Sequence, residues 1–343
     1  MSADTATRMK REILEIPEAV ERLLNVGKTS VQTTAAEIRE RDPLFLLSVA
    51  RGSSDHAASF MKYASELLLG LPMASVGPSI KSIYGVDVAG EGALCISVSQ
   101  SGQSPDIVRL TEAFGKTGAY TVAVTNDVTS PLAVATNATL DIHAGPELSV
   151  AATKTFVTSM VAGLWLLAEM KGDADLLGAI HALPEHLAKA TQCDWSSVVD
   201  AVDGRSLFAL GRGPSWAVSN EAALKFKETC QIHAESYSTA EVLHGPVSIV
   251  ESGFPVIAFA AGDAAEDSVA EVADALVAKG ANVFATTNKV KQAATLPHVR
   301  TDHWITDPIA VIVSFYGMVE QVAAARGINP DAPRHLKKVT ETV

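Results

Sequence analysis

GALCISVSQSG (residues 92–102) and GFPVIAFAAG (residues 253–262) read as two versions of one pattern. Each opens on Gly, continues as an apolar run of strand length, and closes on small residues and Gly. The correspondence extends to both sides. Upstream, PLFLLSVARGSSDHAASFMKYASELL (43–68) matches RSLFALGRGPSWAVSNEAALKFKETC (205–230), both running strand, Arg-Gly-x-Ser, helix. Downstream, GAYTVAVTN (118–126) matches GANVFATTN (280–288). The offset stays between 160 and 162 residues, which is a domain-sized repeat rather than a solenoid period. Within the first copy, strands at 43–50, 71–76, 93–99, 121–126 and 138–144 alternate with helical stretches at 54–70, 105–116 and from near Ala151. Alternation of this kind predicts an α/β fold of two tandem, doubly wound parallel sheets.

The rest of the chain arranges itself around the repeat. Residues 1–40 form an N-terminal helical segment, with Met9, Ile13, Ile16, Val20 and Leu24 at helical spacing. Residues 41–170 make the first α/β domain, 171–204 a helical linker, and 205–327 the second domain. Residues 328–343 are a polar tail that Pro330 and Pro333 keep extended.

Of 343 residues, 48% are apolar, enough for two cores, and the formal net charge is −12. No Lys/Arg block stands out, which argues against a nucleic-acid or anionic-membrane surface. Cys95, Cys193 and Cys230 are odd in number and without a CxxC, so reduced thiols in a cytoplasmic protein are expected. Charges interrupt the first twenty residues where a signal peptide needs an apolar core. The most apolar long stretch, Phe156–Leu167, is too short for a bilayer and reads as a buried helix.

Four constellations carry chemistry. In the first, Ser99, Ser101 and Ser104 surround Gly102 between a strand and a helix, where free N–H groups and hydroxyls suit a phosphate. The alternative is a Ser/Gly turn capped by Ser104 or Asp106. The second copy makes its turn with AFAAG, so the hydroxyls are not needed for the turn, which points to a ligand in the first copy. No Lys follows as in a nucleotide-hydrolysing P-loop. In the second, Arg51-Gly52-Ser53-Ser54 ends a strand of the same sheet, and Ser53 and Ser54 either cap a helix or share that ligand. In the third, EAALKFKE (221–228) puts Glu221, Lys225 and Glu228 on one helix face. Read from these residues alone, a solvated salt-bridge stripe is favoured over a base, Glu228, beside an activating ammonium. In the fourth, His244 before Gly245-Pro246 sits on irregular backbone, as a solvated imidazole or as a group acting near neutral pH. Lys337-Lys338 read as solvent charges on the tail. No metal-ligand spacing and no GxGxxG occur, so no cofactor is expected.

Taken in order, SQSG (99–102), VAATK (150–154), GRG (211–213), EAALKFKE, HAESY…AEVLHGP (233–246) and PRHLKKVTETV (333–343) resemble the double sugar-isomerase (SIS) domain proteins. The resemblance covers about residues 40–343. It extends to the isomerase half of glutamine–fructose-6-phosphate aminotransferase and to the related glucosamine-6-phosphate deaminases. It implies two flavodoxin-like domains and a homodimer with shared active sites. By the resemblance, Ser54, Ser99, Gln100, Ser101 and Ser104 hold a sugar phosphate, and Ser53, Val150 and Ala151 face the sugar. Glu228 moves a proton between C1 and C2 and Lys225 supports the enediol-like intermediate. His244, from the partner subunit, opens the ring, and Lys338 is the amine that forms a Schiff base with the open ketose.

Two departures stand out. The family's V-A-S-T-K is Val150-Ala151-Ala152-Thr153-Lys154 here, and P-R-N-L-A-K is Pro333-Arg334-His335-Leu336-Lys337-Lys338. No glutaminase domain precedes residue 40, which turns the expectation from amination towards deamination of glucosamine 6-phosphate to fructose 6-phosphate. Alternatives are a deglycase of fructose-amino-acid 6-phosphates, an ammonia-dependent aminotransferase-like isomerase, and a non-catalytic phosphosugar sensor.

Overall fold

The computed structural model of the chain describes residues 6–202, 204 and 206–338. Arg205 of the second repeat copy, Asp203 of the linker and tail residues 339–343 lie outside the described residues.

The chain forms two compact units. The first comprises Glu18–Glu147, Lys154–His181 and the tail from Lys337. Its strands are β1 (Phe45–Val49), β2 (Met73–Ser75), β3 (Ala93–Val98), β4 (Tyr120–Thr125) and β5 (Ala138–Asp141). They pair in parallel in the order β2-β1-β3-β4-β5. β3 and β4 are buried at every position, so they read as continuous apolar runs rather than alternating ones. The second unit holds Met1–Pro17, Leu148–Thr153 and Ala182–Leu336. Its strands are β6 (Ser206–Gly211), β7 (His233–Ser238), β8 (Pro255–Ala258), β9 (Asn282–Ala285) and β10 (Ala294–Thr295). They pair in parallel in the order β10-β9-β8-β6-β7. Read from the other edge, this is the order of the first sheet, so the two units share one topology.

The helices run in chain order: α1 (Arg8–Leu14), α2 (Ile16–Val26), α3 (Lys28–Arg41), α4 (Ser53–Leu68), α5 (Ser79–Ser82), α6 (Pro105–Lys116), α7 (Pro131–Val134), α8 (Lys154–Lys171), α9 (Ala174–Ala190), α10 (Ser196–Ala201), α11 (Pro214–Cys230), α12 (Glu266–Val277) and α13 (Asp307–Ala325). Residues 7–40 thus form three helices, and α1 belongs to the second unit while α2 and α3 belong to the first.

Two local readings are corrected, and one strand leaves no trace in the apolar pattern. The strand expected over 138–144 stops at Asp141, whose carboxylate accepts the His143 N–H and turns the chain through a left-handed His143. The helix expected from Ala151 starts at Lys154. β7 (HAESYS) is too polar to announce itself by apolar periodicity; it is the edge strand beside β6. α8 is buried along Lys154–Ala168, but it is α13 that is long and apolar enough to cross a membrane. α13 is 78% buried over its apolar stretch and packs on α11 and α1, as a core helix does.

Candidate active site

In each sheet the chain leaves neighbouring strands in opposite directions between β1 and β3, and between β6 and β8, and at such a switch point the carboxyl ends open a crevice. In the first unit this crevice is bounded by the β1–α4 turn and the β3–α6 loop. Gly52 enters α4 at φ 55°, ψ −134°, and Gly213 enters α11 at φ 57°, ψ −137°. Only Gly tolerates that backbone freely, which is why both copies read Arg-Gly-x-Ser. The Gly leaves Ser53 and Ser54 inside the first turn of α4 rather than capping it. Arg51 does not add positive charge to the crevice. Its Nε and Nη2 lie 2.7 and 2.6 Å from Asp106 Oδ2, and Asp106 is fully buried. The pair joins the two turns that form the crevice.

The β3–α6 loop is held by a backbone bond from Asn126 and by its own serine hydroxyls. Gln100 O accepts from Asn126 N–H at 3.1 Å, and Ser99 Oγ accepts from Gly102 N–H at 3.2 Å. Gly102 has φ 61°, and a Cβ there would stand 2.1 Å from Ser130 Oγ. Ser104 occupies the N-cap position of α6 without a capping bond, whereas Asp106 accepts the Ile107 N–H at 2.9 Å. The cap alternative therefore falls to Asp106, and the Ser104 hydroxyl is left for another partner. Pro105 has no N–H and Ile107 N–H is taken, so the helix terminus offers an anion less than its position suggests. Ser99 Oγ and Ser101 Oγ accept the Gly102 and Gln103 N–H groups of the turn itself and keep only their O–H to donate, so the side chains left open are those of Ser104 and of the half-buried Gln100 and Ser54. Among the described residues the side chains of Ser54, Gln100 and Ser104 make no hydrogen bond.

The second unit shows what the same turn does without those hydroxyls. Gly262 N–H donates to Asp307 Oδ2 at 2.8 Å, and Asp307 Oδ1 accepts from Thr301 N–H at 2.7 Å. Arg300 donates to Ala260 O at 3.0 Å and pairs with Glu266 at 2.6 Å. The turn after β8 is filled by the chain's own carboxylate and guanidinium.

α11 carries the third constellation and overturns the solvated-stripe reading. Glu221 and Lys225 are completely buried. Lys225 Nζ is 3.2 Å from Glu221 Oε1 and 2.5 Å from Glu228 Oε2. Burial alone would pull the Lys225 ammonium below the ordinary lysine range, but Glu221 and Glu228 outweigh it and hold the group above that range. The two carboxylates are not equivalent. Glu221 is sealed in and receives the Tyr316 hydroxyl from α13 at 3.1 Å, while the Glu228 side chain keeps 21% exposure. Of the three charged groups, Glu228 is the one that can meet a solute.

The other predicted residues are placed as follows. His244 ends a one-turn 3-10 helix, Glu241–His244, and is exposed; among the described residues it makes no hydrogen bond or ion pair. Val150 is half-buried and Ala151 buried, in the segment before α8. That segment is anchored by Glu12 of α1, whose carboxylate accepts the Leu148 and Ser149 N–H groups. Lys338 is no solvent charge: its Nζ lies 2.6 Å from Glu147 Oε2. Sequence reasoning missed Glu12, Glu147 and Tyr316. Each is a polar residue within an otherwise ordinary helical or loop context, with no spacing to mark it. Among the described residues, no group of three or more His, Cys, Asp or Glu is placed to hold a metal.

The chain and its fold resemble those of known proteins. The SIS domain model matches residues 37–170 and 202–326. A chain from Silicibacter pomeroyi DSS-3, provisionally described as a phosphosugar isomerase, is 62% identical, with TM-score 0.92 over 95% of this chain and 100% of that one. The isomerizing glutamine–fructose-6-phosphate aminotransferase of Pyrobaculum aerophilum is 31% identical over 98% of this chain and 59% of its own length. The chain thus spans a little over half of that relative. A glucosamine-6-phosphate deaminase from Thermotoga maritima shares the fold, with TM-score 0.77 at 20% identity over 98% of this chain and 100% of that one.

Proposed function

The chain belongs to the SIS domain family, and from that premise we propose that it is an aldose–ketose isomerase of amino-sugar phosphates, with glucosamine 6-phosphate deamination as its reaction. The observation that carries the reading is the buried ammonium of Lys225 held against Glu228, the carboxylate of its helix that keeps partial exposure. A hydroxyl-lined loop without a basic residue, Ser99 to Ser104, supplies the phosphate grip. Both features belong to phosphosugar proton transfer.

In this reading Ser54, Ser99, Gln100, Ser101 and Ser104 bind the phosphate that every candidate substrate shares. Binding energy from that remote group is used to hold C1 and C2 in place for reaction. Val150 and Ala151 face the sugar, Ser53 joins them, and His244 of a second subunit in a homodimer opens the ring. Glu228 takes the proton from C2 of the open aldose and returns it to C1. The Lys225 ammonium stabilises the oxyanion that develops meanwhile. Proton transfer leaves an imine at C2. The amine of Lys338 displaces ammonia from it, and water then releases fructose 6-phosphate.

The assay is incubation with glucosamine 6-phosphate, with ammonia and fructose 6-phosphate measured separately. Equal release of both is expected. Phosphosugar binding with no product at high enzyme concentration overturns the reading and favours a sensor.

A further inference from the structure

Glu147 is a carboxylate whose side chain is fully buried. Thr155 N–H and Thr155 Oγ1 reach it at 3.0 and 2.7 Å where α8 begins, and Lys338 Nζ reaches it at 2.6 Å from the tail. One side chain therefore ties the tail to the first turn of α8. The other charged groups nearby in the chain are Lys154, whose Nζ donates to Pro146 O at 2.8 Å, and the exposed Lys337. One residue further along, Glu12 holds the Leu148 and Ser149 N–H groups.

We propose that Glu147 is the positioning residue of the tail amine: it docks Lys338 by an ion pair in the substrate-free protein and so sets where the amine stands when a ketose arrives. The proposal rests on the reading of Lys338 as the imine-forming group. The physical reason is order. The tail is held earlier by Asp331, which accepts the Arg8 and Met9 N–H groups, and by the buried Pro330 and Pro333, but Leu336 and Lys337 are exposed, so the charge-assisted contact to Glu147 is what localises the Lys338 amine. A carboxylate already fixed by Thr155 is a rigid partner. The docked group is an ammonium and not yet a nucleophile. On reaction the Nζ lone pair forms the bond to ketose C2 and the carbonyl π pair moves to oxygen. Two Nζ protons then leave with that oxygen as water. Ammonium plus ketone gives protonated imine plus water, so no outside reactant is needed.

The test is reductive methylation of the folded chain with formaldehyde and a hydride donor, read lysine by lysine from peptide masses. In the wild type, Lys338 should react at least tenfold more slowly than its exposed neighbour Lys337. In Glu147→Gln, which keeps the size and the Thr155 contacts, Lys338 should rise to within twofold of Lys337. Lys154 and Lys225, both buried, should stay protected and so report that the fold is intact. Wild-type Lys338 reacting as fast as Lys337 overturns the proposal, and so does a variant in which it stays slow. If the variant fails to fold, the wild-type comparison alone decides. Borohydride trapping with fructose 6-phosphate separates the two layers. No adduct on wild-type Lys338 removes the imine reading and leaves the docking result standing. An adduct whose yield does not fall about tenfold in Glu147→Gln removes the positioning role.

Discussion

Arg51 Nη2 stands 2.6 Å from Asp106 Oδ2, joining the turn after β1 to the first turn of α6. The carboxylate is fully buried and the guanidinium half-exposed, so the pair is a strut between the two walls of the crevice. Removing the arginine takes its paired cation away from a buried carboxylate, which costs about 3–5 kcal/mol, whereas removing the charge itself costs less. Arg51→Met should therefore destabilise the protein by more than Asp106→Asn does, measured by urea denaturation. Equal losses would show that the pair is not a strut.

Ser104 occupies an N-cap position but makes no capping bond. Ser104→Ala should leave stability within about 0.5 kcal/mol. It should weaken binding of a sugar phosphate about tenfold, the loss of one hydrogen bond to a charged group. Calorimetry with fructose 6-phosphate beside a melting curve checks both. A large stability loss without an affinity loss would return Ser104 to the turn.

Gly102 is required twice, by its φ of 61° and by the 2.1 Å approach a Cβ would make to Ser130 Oγ. Gly102→Ala should displace the loop and abolish phosphosugar binding. Adding Ser130→Gly relieves the contact but not the backbone strain, so it should restore binding only in part. Full recovery in the double variant would mean that the contact alone matters.

Glu228→Gln should lower turnover by about 10²–10⁴-fold, the usual share of a positioned general base, and leave phosphosugar affinity within about twofold. Lys225→Met faces a different penalty. It strips the counter-ion from buried Glu221 and should cost about 3–5 kcal/mol of stability as well as activity. An active Glu228→Gln enzyme would remove this carboxylate from the reaction.

Burial pushes the Cys95 thiol up to about 12 and the Cys230 thiol up to about 11, from an ordinary 9.0. Both therefore stay protonated in the fold, and only the partly exposed Cys193 should react with a thiol reagent at pH 8. A raised folded value contributes stability that is intact below about 9 and is lost as pH rises towards 11 and 12. Melting temperature should begin to fall above pH 9. Rapid modification of Cys95 in the folded protein would contradict its burial.

Much of this was legible from residues alone. The repeat, the parallel order of alternation and the helix over 105–116 follow from apolar runs and punctuating glycines, which act locally and so leave a local trace. β7 left none because its residues are polar, and a strand at a sheet edge is held by backbone pairing that any side chain allows.

The candidate site divides along the same line. Ser99 to Ser104 stood out because the second copy lacks the hydroxyls, a contrast visible without coordinates. The charge state and exposure of the α11 groups did not. Helical spacing places Glu221, Lys225 and Glu228 on one face whether that face meets water or core, and only the packing of α13, with Tyr316 on Glu221, makes it buried. Glu147 and Lys338 are 191 residues apart, and no local pattern records a contact across that separation. The amino-acid sequence by itself determined the elements, their repeat and the residue types available for chemistry, because those depend on neighbours along the chain. Which carboxylate is sealed, which stays open and which lysine is docked depends on desolvation by distant elements, and only the tertiary structure decided it.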